Sequence, residues 1–176
     1  MILEAFEGSR ARSITAAVIV WGAVAAVAIA AGDSTPPAAP PPAGASAAAS
    51  LTPEQTVSRY LDALKADKFT DAYDFITKAM AQNKSRDAWA KEQQWTMQMS
   101  EAKIFDYHVY PGKVEGDKAF VPNVLSSQDK FLNQLGVQEH ELYTLIREDG
   151  RWKIDQQQLV EKSDQRKWFP PQAQEK

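Results

Sequence analysis

Apolar and polar side chains alternate on both sides of Asp149-Gly150, in the stretch from Leu142 to Asp155 (LYTLIRE, DG, RWKID). Asp-Gly between two alternating runs predicts a β-hairpin, because a type I′ turn needs positive φ at both central residues. A two-residue turn sets Glu148 opposite Arg151, Arg147 opposite Trp152 and Ile146 opposite Lys153. It continues with Leu145 opposite Ile154, Thr144 opposite Asp155 and Tyr143 opposite Gln156. One face of the ribbon then carries Tyr143, Leu145, Trp152 and Ile154. The other carries Thr144, Glu148, Arg151, Lys153 and Asp155, with Ile146 the apolar exception. A sheet that is apolar on one face needs a cover for it.

Helical spacing upstream supplies that cover. Thr52-Pro53-Glu54-Gln55 reads as an N-cap, a first-turn proline and a capping-box glutamine. Val57, Tyr60, Leu61 and Leu64 follow on one face. After a break at Ala66-Asp67-Lys68, a second short helix has Phe69, Ala72, Tyr73 and Ile76 as its stripe. Ser85 caps a third, running to about Met99, with Trp89 its clearest core residue. Trp95, Met97 and Met99 fit no clean period.

Period-two alternation then returns. Ile104 to Tyr110 reads as a strand with Phe105, Tyr107 and Val109 inward and Ile104, Asp106, His108 and Tyr110 outward. Turn residues at Pro111-Gly112 and Glu115-Gly116-Asp117 lead to a strand from Ala119 to Leu125. Pro122 lacks a ladder donor, which predicts an edge or a bulge there. Ser126 to Gly136 is a polar excursion holding Phe131, Leu132 and Leu135. Gln138 to Glu148 and Arg151 to Gln157 complete four strands. The fold class is therefore α+β: three N-terminal helices packed on a four-stranded antiparallel sheet.

The first fifty residues follow a different pattern. Ser13 to Ala31 carries no charge, and its nineteen residues at roughly 1.5 Å each cross a hydrocarbon core of about 30 Å. Arg10 and Arg12 precede it and Asp33 follows. This predicts a cytoplasmic N-terminus (1–12), a transmembrane anchor (13–31) and an exported remainder. The competing reading is a cleaved signal with an Ala28-Ile29-Ala30 site. Against it stand the long apolar run and Glu4 and Glu7, which offset the arginines. Residues 32–51 form a linker rich in proline and alanine, with five of the ten prolines. Extended, it reaches up to roughly 60 Å. The domain proper spans 52–157 and a tail 158–176.

Composition narrows the functional classes. A net charge of −3 argues against nucleic acid, which needs a concentrated basic face. The chain has no cysteine, which excludes disulfides, thiolate metal sites and a thiol nucleophile. Two histidines, His108 and His140, are too few for a confident metal or acid–base constellation, and no cofactor is expected. No phosphate loop, nucleophile elbow or zinc helix motif occurs.

Taken together, Thr52-Pro53-Glu54, Tyr60-Leu61-Asp62-Ala63-Leu64-Lys65, Phe69, Ala72-Tyr73, Gly116-Asp117-Lys118-Ala119 and Glu148-Asp149-Gly150-Arg151-Trp152-Lys153-Ile154 resemble the nuclear transport factor 2-like superfamily. The likeness spans about Thr52 to Gln157 and is nearest to small exported bacterial members of unknown function. It implies a curved sheet wrapped around helices to leave a conical cavity. That superfamily holds enzymes related to SnoaL and ketosteroid isomerase, small-molecule binders and interaction modules, so the fold alone does not choose.

Isomerase-like members place an acid or base and a tyrosine inside the cone. Here Tyr73, Trp89, Tyr107, Tyr143 and Trp152 are the residues expected to line it. Parity turns Asp106 and His108 away from it, and His140, in phase with Thr144 and Glu148, is expected to face solvent. Asp106-x-His108 lacks a third ligand, so no metal site is expected. In the tail, Trp168 and Phe169 either fold back to close one end of the core, or dock into a partner or sit at the bilayer interface beside Arg166 and Lys167. The reading that emerges is a single-pass protein of a bacterial inner membrane with a periplasmic domain, or a periplasmic one if cleaved. Its expected role is a non-catalytic binding module, an accessory subunit with a protein partner in the envelope. The alternative is a small-molecule binder or isomerase-type enzyme using the cone.

Overall fold

Thr52 caps the first helix among the described residues. Its hydroxyl accepts from the Gln55 amide at 3.2 Å, and the Gln55 side chain accepts from the Thr52 amide at 3.0 Å. This closes the expected capping box on helix α1, Pro53–Lys65. The computed structural model describes residues 51–174. The N-terminal segment 1–12, the anchor expected at 13–31 and the linker up to residue 50 lie outside the described residues. Among the described residues no helix is long and apolar enough to cross a membrane.

Beyond α1 come the short helix α2, Phe69–Ala72, a single 3-10 turn at Tyr73–Phe75, and α3, Arg86–Ser100. Ser85 caps α3 through the Ala88 amide, and Glu101 ends it in the left-handed region at φ 52°. Strands β1, Lys103–Val109, β2, Lys113–Glu115, β3, Lys118–Gln128, β4, Gln138–Glu148, and β5, Arg151–Leu159, follow. They form one antiparallel sheet in the order β1-β3-β4-β5, with β2 beside the start of β3. The sheet thus has five strands, not the four expected. The additional β2 is three exposed residues long, too short for alternation to reveal it.

Pro122 is neither on an edge strand nor at a bulge. It lies in β3 opposite the gap between β1 and β2, where its carbonyl accepts from Tyr110 at 2.9 Å. A residue of an antiparallel strand turns its N–H and C=O towards the same neighbour. The donor that proline lacks is therefore missing only where the neighbouring strand is interrupted. Gly112 crosses that gap tightly: a Cβ there would come within 2.9 Å of the Phe120 carbonyl oxygen and a Val121 methyl.

Two bulges alter the expected faces. In β1 the register shifts between Ile104 and Asp106. Ile104, Tyr107 and Val109 pack on the core, and Phe105, expected inward, is exposed. In β5 the register shifts after Leu145↔Ile154, so Thr144 faces Gln156 and Tyr143 faces Gln157. The residue displaced is Asp155, whose carboxylate accepts from Thr77 at 3.0 Å while the Ile154 carbonyl accepts from the Thr77 amide. A contact to the helical layer is thus what pulls β5 out of its two-residue rhythm.

The main core lies between helices and sheet, where Val57, Tyr60, Leu61, Phe69, Ile76 and Trp89 meet Val121, Tyr143, Leu145, Trp152 and Ile154. A second, smaller core comprises Val124, Leu142, Val160 and Phe169, with Trp168 and Phe120 against it. Val124 and Leu142 have the opposite parity to Val121 and Tyr143, so this core lies on the face expected to be wet. The tail covers it through the short helix α4, Gln165–Trp168, and a turn at Pro171–Ala173.

Candidate functional site

Strand β4 delivers Glu139, Glu141, Tyr143 and Leu145 to the helical side of the sheet. β3 sets Asn123 opposite Glu141, and the bulge in β5 brings Gln157 onto the same face. The Glu141 carboxylate accepts three hydrogen bonds: from the Asn123 amide at 2.9 Å, the Tyr143 hydroxyl at 2.9 Å and the Gln157 amide at 2.7 Å. Only 3% of Glu141 is exposed and none of Tyr143 is. Tyr60 from α1 closes over them, its ring 6.3 Å from that of Tyr143 in an edge-on contact. Burial pushes the Glu141 carboxyl up to about 6, against the pull of its three hydrogen bonds, with Glu139 adding to the rise. Burial and the Glu141 charge raise the Tyr143 and Tyr60 hydroxyls as well. All three donors to the carboxylate are neutral. Parity carried the signal for this residue: Glu141 is in phase with Tyr143 and Leu145, a position the hairpin reading did not extend to.

Of the five residues expected to line a cone, Trp89, Tyr143 and Trp152 are buried in the main core and Tyr73 and Tyr107 pack against it. Tyr73 packs edge-on against Trp89 with ring centres 5.9 Å apart and donates to the Lys84 carbonyl at 2.8 Å. Tyr107 donates to Asp62 at 2.6 Å, and burial together with that carboxylate pushes its hydroxyl up to about 12. Trp152 is buried with the Arg147 guanidinium over its ring. Trp89 and Tyr143 are core residues.

On the opposite face a groove of about 690 Å³ runs between the outward side chains of the sheet and the tail at Gln172 to Gln174. Asp106, Tyr107 and His108 line it; Asp106 and His108 point outward as expected, but into a groove and not onto an open face. Asp106 is 4.0 Å from Lys65, and the His108 ring packs edge-on against Tyr110. His140, expected to be solvent-facing, is buried. Its Nε2 lies 2.5 Å from the Ala173 carbonyl oxygen and its ring stands against Phe169. The parity was right, but the tail covers that face. Phe169, considered as a partner contact, is only 4% exposed, and Trp168 is partly buried against Phe120. The fold-back alternative holds, on the second face of the sheet. Among the described residues no group of three His, Asp or Glu is placed to hold a metal.

At one end of the domain apolar side chains stand in water. Trp95 and Met99 on α3, Phe105 at the β1 bulge, and Phe131, Leu132 and Leu135 between β3 and β4 are all exposed.

No family model matches the sequence, and no curated protein does. Solved structures give the likenesses. An NTF2-like protein of unknown function from Cytophaga hutchinsonii is 12% identical with a TM-score of 0.40, over 64% of this chain and 94% of that one. A DUF4783 family protein from Bacteroides ovatus is 10% identical with a TM-score of 0.41, over 58% and 91%. Bd1075 of Bdellovibrio bacteriovorus is 10% identical with a TM-score of 0.42, over 59% of this chain. This chain spans only 38% of the Bd1075 chain.

Proposed function

We propose that this chain is a non-catalytic interaction module, held outside a bacterial cytoplasmic membrane by residues 13–31 and serving as an accessory subunit of an envelope protein complex. The observation that carries this reading is the sealed interior. Glu141, which accepts from Tyr143 beneath Tyr60, has both carboxylate oxygens engaged by neighbouring side chains and almost no exposure. A general base must come within hydrogen-bond reach of a substrate proton, and this one is walled off by the core. The test is extraction of the full chain in a gentle detergent through a C-terminal tag, followed by native mass measurement. A stoichiometric protein partner, with residues 1–31 retained, is expected. A free monomer would contradict the proposal.

A second reading has one observation in its favour. Glu141 beside Tyr143 and Tyr60 is an acid–base pairing of the kind a small-molecule binder or isomerase-type enzyme uses. A thermal-shift screen with apolar small molecules separates the two. A compound that raises the melting temperature of the natural chain but not of Glu141→Gln supports the second reading.

A further inference from the structure

The loop between β3 and β4 devotes its polar groups to its own shape. The Asp129 carboxylate accepts the amides of Phe131, Leu132 and Asn133 at 2.7, 2.6 and 3.1 Å. Asn133 is buried. Its amide nitrogen donates to the carbonyls of Ser127 and Val137 at 2.9 and 2.8 Å, and its oxygen accepts the Val137 amide at 2.9 Å. Gln134 and Gln128 side chains bond the loop's own carbonyls at Lys130 and Gln134. The Lys130 amide donates to Ser100, which fixes the loop to the end of α3 beside Met99. Beside the exposed Lys130 and Gln134, this framework presents outward Phe131, Leu132 and Leu135, the last 90% exposed. Trp95 and Met99, one turn apart on α3, and Phe105 at the bulge extend the same end of the domain.

We infer that this end of the domain docks on the surface of a lipid bilayer, with Phe131, Leu132 and Leu135 entering the interface and Trp95 at its level. A protein partner ordinarily takes hydrogen bonds as well as apolar contact, about one per 100–200 Å². This loop has used its side-chain amides and carboxylate internally, and offers non-directional apolar contact with a tryptophan, as interfacial anchors do. The charged side chains on the loop and its neighbouring turns balance: Lys103 and Lys130 against Glu101 and Asp129, with Lys130 paired to Glu101 at 3.1 Å. The surface suited to it is therefore zwitterionic, and its attachment insensitive to salt.

The geometry of the tether agrees. The chain enters α1 next to Gly112, whose amide donates to Glu54, at the end of the sheet where β3 begins. The apolar loop follows the other end of β3, eight residues beyond Phe120, against which Gly112 packs, or about 27 Å. Residues 32–51, extended, reach roughly 60 Å, so the far end of the domain can lie against the membrane from which the chain emerges. The inference rests on the tethering part of the reading above.

The chain has no cysteine, so single-cysteine probes are specific. The full chain is reconstituted in phosphatidylcholine vesicles with a nitroxide at Leu135→Cys, at Lys113→Cys near the other end, or at Val24→Cys in the anchor. Collisions with oxygen report lipid and collisions with a nickel chelate report water. Positions 24 and 135 are expected to favour oxygen and position 113 nickel, unchanged in high salt. Adding Phe131→Ser and Leu132→Ser should return position 135 to water while leaving 24 in lipid and the circular dichroism unchanged. Position 135 in water with 24 in lipid overturns the inference alone. Position 24 in water overturns the tether and the inference together. Spin–spin broadening between copies at 135 assigns the patch to a second copy of the chain, and also overturns it.

Discussion

The Tyr143 hydroxyl donates to the carboxylate of Glu141, two residues before it on the same strand, at 2.9 Å. Residues two apart share a face of a strand, so this tyrosine carries its acceptor into the core with it. The pair sits among Asn123, Gln157 and Tyr60 with no cation among the donors. Such a group is held in place by neutral hydrogen bonds while burial works against its charge.

The cost of that charge has a definite pH dependence. The Glu141 carboxyl is pushed up to about 6 from an ordinary 4.5, so the folded chain binds this proton more tightly than the unfolded chain. The contribution to stability falls as pH rises from about 4.5 through about 6 and is level above that. At about 1.4 kcal/mol per pH unit, the loss is about 2 kcal/mol. Glu141→Gln should abolish this slope. Its amide can also supply a donor to the Asn123 side-chain oxygen, which has no partner among the described residues. Urea unfolding at pH 4.5 and pH 8 measures both chains, and an unchanged difference between the two pH values in the variant would contradict the assignment.

Phe169 and Trp168 separate core from contact surface. Phe169 is buried against Val124, Leu142 and Val160 and meets the rings of Tyr110 and His140, so Phe169→Ala should cost about 3–4 kcal/mol. Trp168 keeps part of its surface in water against Phe120, and Trp168→Ala should cost about 1 kcal/mol. Chemical denaturation of the two variants checks the order. Equal and negligible losses would mean that the tail does not cover the sheet.

Asn133 tests whether the apolar loop is built or merely exposed. Asn133→Ala removes three hydrogen bonds to the backbone of Ser127 and Val137. It should lower stability by about 2 kcal/mol and speed hydrogen exchange between residues 129 and 137. Gln134→Ala, which loses a single exposed bond to Lys130, should change little.

Gly112 and Gly150 are required for different reasons. A methyl at Gly112 would press on the Phe120 carbonyl and Val121, and Gly112→Ala should cost about 1–3 kcal/mol. At Gly150 a methyl meets nothing within 4 Å, but φ is +74°, so Gly150→Ala should cost about 1 kcal/mol from backbone strain alone. Melting temperatures of the two variants decide.

Local chemistry made much of this fold legible. The Thr52 box, the Ser85 cap and the Asp149-Gly150 turn all follow from short-range rules, and the turn residues have φ of 51° and 74°. The inward set Tyr143, Leu145, Trp152 and Ile154 followed from alternation. What alternation does not carry is a bulge. Phe105 is displaced by the register shift in β1 and Asp155 by Thr77, which lies 78 residues away along the chain, beyond any local cue at β5. Parity gives His140 the correct face, but the cover of that face comes from Phe169 and Ala173, and a contact between distant segments leaves no periodic trace. Glu141 is legible in principle, since it is in phase with Tyr143; the partners Asn123 and Gln157 that hold its carboxylate inside lie on other strands.

The claim on which the account depends is that the space between helices and sheet admits no small molecule at Tyr143. Nitration of the native chain with tetranitromethane, read residue by residue by mass spectrometry, tests it. Tyr143 and Tyr60 should remain unmodified until the chain unfolds, while Tyr110, beside the outer groove, reacts. Modification of Tyr143 in the folded chain at a rate like that of Tyr110 would contradict the account and make the interior a candidate binding site again.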